Sequence, residues 1–159
     1  MSGFEQTEGW SYQLKLALQH LHSHPCTRLP NPSSCQRRAS VALILRVRPP
    51  PQHKSAYNSD LCSNALPFEQ RLNSFFQQTW VSQGVLETLF IKRATRRGDR
   101  WTSQIAFPGG KREEIDSDDQ AAGIRETMEE TGVNLLEEWC LNIGNLPERL
   151  ITAAWGKKP

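Results

Sequence analysis

The segment from Phe107 to Val133 constrains this chain more than any other. Phe107-Pro108-Gly109-Gly110-Lys111 sets two glycines behind a proline. Such a turn has no side chain in the way of its backbone, so its carbonyls can approach a ligand. Asp116, Asp118 and Asp119 then supply helix-start chemistry, with Asp118 or Asp119 as N-cap. Gln120 to Thr131 reads as a helix with Ala121, Ile124 and Met128 as its core stripe. Gly132 is placed for a left-handed stop.

The acids on that helix cluster. Glu126 and Glu130 are four residues apart and share a face, and Glu129 lies three beyond Glu126. Arg125 precedes Glu129 by four, the separation of a supporting ion pair. Carboxylates converging near one turn repel each other unless cations or arginines compensate. Oxygen-rich sets of this kind suit the hard cations Mg²⁺ and Mn²⁺. Taken alone, E-x-x-E-E reads more readily as a solvated acidic helix.

The remainder of the 159 residues allows one domain, two at most. Apolar residues make up 37%, which supports a modest core and leaves part of the chain loose. No apolar run is long enough to cross a membrane, and the N-terminus has no secretory apolar region. Cys26, Cys35, Cys62 and Cys140 are scattered without a C-x-x-C pair, which fits a reducing compartment. A helix is expected over 7–22, ended by His24-Pro25, and His20, His22, His24 and Cys26 match no common zinc spacing. Ala39 to Arg48 reads as a strand buried on both faces, stopped by Pro49, Pro50 and Pro51. A polar insertion follows to about residue 66. Phe68, Leu72, Phe75, Phe76 and Trp80 share one face of a helix over 67–80. Strands are expected over 84–94 and 101–107, with a turn at Arg97-Gly98-Asp99 between them.

Charge is uneven. Between Trp10 and Ser59 there is no acid, but there are Lys15, Arg28, Arg37, Arg38, Arg46, Arg48 and Lys54. From Lys111 to Glu138 ten acids face three bases. Between the two blocks lies a basic run, Lys92, Arg93, Arg96, Arg97 and Arg100. A basic block beside an acidic one suits an anionic substrate handled together with a cation. The basic leader is also similar to a transit peptide, a reading that Glu5 and Glu8 weaken.

The string Gly110 … Arg125-Glu126-Thr127-Met128-Glu129-Glu130-Thr131-Gly132-Val133 resembles the Nudix box, G-x5-E-x7-R-E-U-x-E-E-x-G-U, with U a bulky apolar residue. Two departures stand out. Thr127 occupies the first apolar position, and one extra residue separates Gly110 from Arg125. Ser117 falls where the box has its first Glu, and Asp116 stands one residue early. The run Phe107 to Asp119 is similar to the F-P-G-G-K-R-D-x-x-D-x-D-D of the coenzyme A diphosphatase-like branch. Leu89-Phe90-Ile91-Lys92-Arg93-Ala94 resembles that branch's upstream L-L-x-x-R-[SA] element.

The resemblance implies an α/β fold, a Nudix-type α/β/α sandwich with a mixed sheet. The domain would run over 39–159 behind an N-terminal helix and basic leader at 1–38, with the box at 110–133. It implies hydrolysis of a nucleoside diphosphate-linked small molecule, coenzyme A-like first, using Mg²⁺ or Mn²⁺. Glu126, Glu129, Glu130 and a carbonyl at Gly110 would hold metal; Glu126, Glu129 and Arg125 would form the catalytic set. Arg93, Arg96, Arg97, Lys111 and Arg112 are candidates for phosphate contact, because guanidinium groups match phosphate oxygens. The alternatives are a non-catalytic Nudix-like binding or regulatory fragment, and a hydrolase of another nucleoside diphosphate derivative. After the box only Val133 to Pro159 remains. That leaves room for strands at 139–143 and 149–154 but none for a closing helix, so the expectation is a C-terminally truncated Nudix domain that turns over slowly. An uncovered sheet edge would favour self-association. No membrane or specific nucleic-acid partner is expected. The expected location is intracellular and cytoplasmic, with mitochondrial targeting left open.

Overall fold

The computed structural model describes residues 9–24, 26–30, 37–53, 66–95, 97 and 103–151. It is a mixed α/β arrangement of four α-helices and three antiparallel strand pairs among those residues.

Helix α1 spans Trp10–Ser23 and buries none of its residues. It rests on helix α2 (Phe68–Phe76) through Gln19 Nε2, which donates to Glu69 Oε2 at 2.8 Å, and through the His22 ring stacked 3.5 Å from Phe68. The helix expected over 67–80 is two helices, because α2 stops at Phe76 and α3 (Thr79–Gln83) starts after Gln77 and Gln78. Gln78 adopts an extended conformation and its side chain caps the Ser74 carbonyl at 3.1 Å. The break turns Trp80 and Val81 inward, where they meet Val47, Phe75 and Phe76 in the hydrophobic core. Trp80 stands edge-on to Phe75 with centroids 5.7 Å apart. Burying a side chain such as Val81 or Leu72 stabilises the fold by about 1.5–3 kcal/mol.

The strand expected over 39–48 divides into β1 (Ala39–Val41) and β2 (Leu45–Arg48). Each half pairs with a different partner. Strand β2 pairs antiparallel with β3 (Val85–Thr88), with Val47 opposite Leu86. Strand β1 pairs with β6 (Gly109–Lys111), with Ser40 opposite Gly110. Between them Ala42 donates to the Pro108 carbonyl at 2.8 Å, and the Ile44 carbonyl accepts from Leu89 N at 3.1 Å. The strand is therefore not buried on both faces: Val41, Leu43 and Leu45 are exposed and Val47 alone enters the core.

The second expected strand likewise divides, into β3 and β4 (Ile91–Lys92); β4 pairs with β5 (Ile105–Ala106). Of the strand expected over 101–107, residues 101 and 102 lie outside the described residues, as do Gly98, Asp99 and most of the polar insertion. The described strand pairs are all antiparallel, so the mixed sheet implied by the resemblance is not seen among them.

Helix α4 (Asp119–Thr131) packs across β1 and β6. Its inward face is not the expected Ala121, Ile124 and Met128. Ala122, Gly123 and Thr127 are the buried residues, and Met128 is exposed. Small residues let the helix lie close to the strands: a Cβ at Gly123 would come within 3.1 Å of Ser40 Oγ. The buried Thr127 hydroxyl is satisfied by donating to the Gly123 carbonyl at 2.7 Å. Beyond α4, Val133 to Ile151 forms no regular helix or strand, so the strand expected over 139–143 is not formed; residues 152–154 lie outside the described residues.

Candidate functional site

The site is the turn at Gly109–Gly110 facing the last turns of α4. Both ends of α4 form as the sequence leads one to expect. Asp118 is the N-cap and its Oδ1 accepts from Ala121 N at 2.8 Å. Gly132 closes the helix in the left-handed region at φ 73°. The two glycines of the turn do different work. Gly109 has φ 146°, and a Cβ there would collide with the Ser40 carbonyl and Val41 Cα. At Gly110 a Cβ would instead overlap the Glu126 carboxylate. Glycine at 109 is thus a backbone requirement, whereas glycine at 110 leaves room for one acidic side chain.

Arg125 organises the acids. Its Nε and Nη2 each lie 3.0 Å from an oxygen of Asp116, a two-pronged pair. Nη2 also donates to the Lys111 carbonyl at 3.1 Å. Nη1 faces Glu126 Oε1 and both oxygens of Glu129, at 3.4 Å each. One guanidinium therefore joins the loop after the glycine turn to two acids of the helix. Asp116, whose side chain is only 4% exposed, also accepts from Glu113 N at 2.8 Å. Its hydrogen bonds to Arg125, and then to Glu113 N, hold its carboxyl below the usual aspartate value. The same Asp116 pair, and next Glu129, hold the Arg125 guanidinium above its ordinary value against the cost of burial. The loop carboxylate that the sequence leaves between Ser117 and Asp116 is Asp116; Ser117 contributes its carbonyl to Arg112 at 2.9 Å.

Glu130 is held differently. Its Oε2 accepts from the Gly109 backbone amide at 2.9 Å. Glu126, Glu129 and Glu130 are thus all brought to one turn, and each is occupied by a protein donor. Among the described residues no three acidic, histidine or cysteine groups converge closely enough to hold an ion as they stand. By chemistry the donor set still fits a hard cation, since it offers carboxylates beside a glycine backbone and no sulfur or imidazole.

The basic candidates are spread out. Lys111 is exposed at the end of β6. Arg112 turns toward its own loop, with Nη2 on the Ser117 carbonyl and Nη1 3.7 Å from Asp119 Oδ1. Arg93 follows β4, where its backbone amide donates to the Gln104 carbonyl at 2.9 Å; Arg97 is exposed, and Arg96 lies outside the described residues. Among the described residues His20, His22 and His24 belong to no cluster that could hold a metal: the His24 ring stacks on His20, and His22 Nδ1 lies 2.9 Å from the Ile143 carbonyl.

One contributor was not singled out from sequence. The Arg38 carbonyl accepts from Arg112 N at 3.0 Å, and its Nε donates to Asp119 Oδ2 at 2.8 Å. Its Nη2 reaches Glu148 Oε1 at 2.5 Å. Arg38 hydrogen bonding holds Asp119 below its usual pKa. The signal was the opposition of a basic leader and an acidic box, visible as charge but not as a pairing.

Comparison with known proteins gives a limited kinship. No family model matches the chain. Over 139 residues, 87% of the chain, it is 32% identical to an uncharacterized protein of Schizosaccharomyces pombe, of which that stretch is 36%. Over 51 residues, 32% of the chain, it is 39% identical to the peroxisomal coenzyme A diphosphatase NUDT7 of Mus musculus, of which that stretch is 21%. The chain thus spans about a third of the first relative's length and about a fifth of the second's. No solved structure matches. Among the described residues no helix is long and apolar enough to cross a membrane. What the comparisons carry is a partial similarity to a coenzyme A diphosphatase.

Proposed function

We propose that this chain carries the metal-dependent catalytic unit of a Nudix diphosphate hydrolase, acting on a nucleoside diphosphate-linked small molecule, coenzyme A-like first. The observation that carries this reading is Arg125, which clasps buried Asp116 while facing Glu126 and Glu129 beside the Gly109–Gly110 turn. Glu126, Glu129 and Glu130, with the Gly110 carbonyl, would hold Mg²⁺ or Mn²⁺. When bound, the ion supplies a more acidic attacking water and screens the diphosphate's charge. The chain's own part is orientation. Asp116 fixes Arg125, Arg125 fixes the acids, and Gly110 leaves the space into which Glu126 projects. Lys111, exposed beside the turn, would meet an anionic oxygen, with Arg93, Arg96 and Arg97 as further candidates.

The test is a panel of nucleoside diphosphate derivatives, coenzyme A among them, with Mg²⁺ or Mn²⁺ and phosphate release as readout. Coenzyme A should lead the panel, and Glu130→Gln should abolish the metal response. Equal turnover by Glu130→Gln would remove the ligand assignment. A second reading is favoured by the acids' present bonds to protein donors: a Nudix-like binding module without turnover. Ligand binding by calorimetry with no hydrolysis of any panel member would select it. A leading rate on a sugar nucleotide or dinucleotide would move the substrate class instead. We also propose self-association, supported by the exposure of Val41 and Ile105 on short strands; a sedimentation coefficient independent of concentration would remove it.

A further inference from the structure

We propose that Glu148 is a built-in stand-in for a phosphate group: its carboxylate fills an anion seat made by the Leu29 amide, Arg28 and Arg38, and a phosphate group entering that seat expels it and frees the segment that carries it. The inference stands apart from the hydrolase reading. Leu29 N donates to Glu148 Oε2 at 2.8 Å, Arg38 Nη2 lies 2.5 Å from Oε1, and Arg28 Nε lies 3.9 Å from Oε1. One backbone amide and two guanidiniums thus converge on one carboxylate, and those are donors that suit phosphate oxygens. The same two arginines reach Asp119 Oδ2, Arg38 at 2.7 Å and Arg28 at 3.5 Å, and Arg112 stands 3.7 Å from Asp119 Oδ1. The seat lies at the first residue of α4, about 16 Å along the helix axis from Glu130.

Charge decides which anion the seat favours. Arg28, Arg38 and Arg112 face Asp119 and Glu148, while Asp118 is spent on capping α4 through Ala121 N. With Glu148 withdrawn, the three guanidiniums face Asp119 alone. That excess of positive charge matches a phosphate dianion better than a single carboxylate. Glu148 is the carboxylate that can leave, because it sits in a segment without helix or strand, whereas Asp119 is fixed at the start of α4. The segment runs beside the end of α1 and the chain after it on three ties. His22 Nδ1 lies 2.9 Å from the Ile143 carbonyl, Cys26 Sγ donates to the Asn145 carbonyl at 2.9 Å, and Leu29 N holds Glu148. Glu148 is the last of the three, so its release loosens the segment from its far end. Arg28 is 67% exposed, so an anion reaches the seat directly from solvent.

The test is titration of the 159-residue chain with inorganic phosphate and with glycerol phosphate at constant ionic strength, chloride serving as the control. The Leu29 amide is followed by ¹⁵N–¹H spectroscopy, and cleavage within 133–151 by limited proteolysis. Phosphate should shift the Leu29 amide and speed cleavage within 133–151, leaving cleavage within 107–132 unchanged. Glu148→Gln should bind phosphate about fivefold more tightly, the upper worth of one surface ion pair. Arg28→Gln, which alters the exposed arginine of the seat, should bind it about fivefold less tightly. Tighter binding of glycerol phosphate assigns the seat to phosphorylated small molecules, and tighter binding of inorganic phosphate assigns it to the free ion. Equal phosphate affinity in the parent and Glu148→Gln would overturn the stand-in. So would phosphate binding that leaves Leu29 unmoved, a Leu29 response that chloride reproduces, or no binding by either chain.

Discussion

The unit from Phe107 to Gly132 and the segment from Val133 to Ile151 are comparable in kind, each a run of apolar and acidic residues, yet they behave in opposite ways. The first is tied within itself by an N-cap, a left-handed stop and an arginine clasp, and its helix sits on β6 and on β1 from upstream in the chain. The second combines short turns of its own, such as Asn134 Nδ2 donating to Glu137 Oε1 at 2.9 Å, with ties to other parts of the chain. Arg71 donates to the Glu138 carbonyl, Cys26 to the Asn145 carbonyl, and Leu29 N to Glu148 Oε2. Several of its apolar side chains are exposed, Trp139 at 59% and Ile151 at 82% among them, while Val133, Leu135, Leu141 and Ile143 are half-buried. Polar pairs occur within both segments; the regular element forms where the helix also seats on strands, and apolar content alone does not produce it.

The largest expected effect comes from adjacent glycines. Gly109→Ala meets backbone on a fixed strand and should cost roughly 3 kcal/mol or more, measured by denaturant melting. Gly110→Ala meets only the end of a flexible acidic side chain. It should leave the melt within about 1 kcal/mol of the parent while weakening Mn²⁺ binding, because Glu126 must swing aside. Equal melts for the two would erase the distinction between a backbone glycine and a site glycine.

Arg125→Ala comes next. It unties the loop from the helix and should cut hydrolysis about 100-fold, since misplacing reacting groups by about 1 Å has that effect. It should also lower the melting temperature, because it leaves Asp116 buried without its main partner. A normal rate with a lowered melt would make Arg125 structural only.

Acid should weaken the first unit through Asp116. The Asp116 pKa is lowered on folding, so its contribution to stability is present above the unfolded value and is lost as pH falls through the folded one. Stability of the parent should therefore decline below about pH 4. Asp116→Asn should flatten that acid limb in pH-dependent melts. An unchanged limb would place the acid sensitivity elsewhere.

The smallest effect belongs to the outer segment. Glu148→Gln weakens its pairing with Arg38 and Arg28, and should cost about 1 kcal/mol or less. It should nevertheless speed proteolytic cleavage within 133–151 and leave cleavage within 107–132 unchanged. Equal acceleration in both would mean that the two regions open together.

The sequence made the glycine turn, the Asp118 cap, the Gly132 stop and the Arg125–Glu129 pair legible, because each depends on residues close along the chain. The inward face of α4 was not legible. An apolar stripe points to Ile124 and Met128, but close packing on β1 and β6 selects Gly123 and Thr127, which carry little hydrophobic signal. The run Val41 to Val47 has the composition of one buried strand, yet it changes partner at Ala42 to Ile44, a choice made by β6 and β3 far along the chain. Glu130's bond to Gly109 was hidden for the same reason, since side chains at 130 and backbone at 109 meet only after α4 docks.

Arg38 has a practical consequence for anyone cutting this chain into pieces. Its backbone carries the hydrogen bond that begins the β1–β6 ladder, and its side chain grips the first residue of α4. A fragment that starts at Ala39, where the strand itself begins, keeps every acid of the site and discards the residue bridging both ends of the 112–119 loop. A piece that retains the loop's shape begins at or before position 38, so Arg38 and the acidic helix should be cloned, swapped and redesigned as one inherited part.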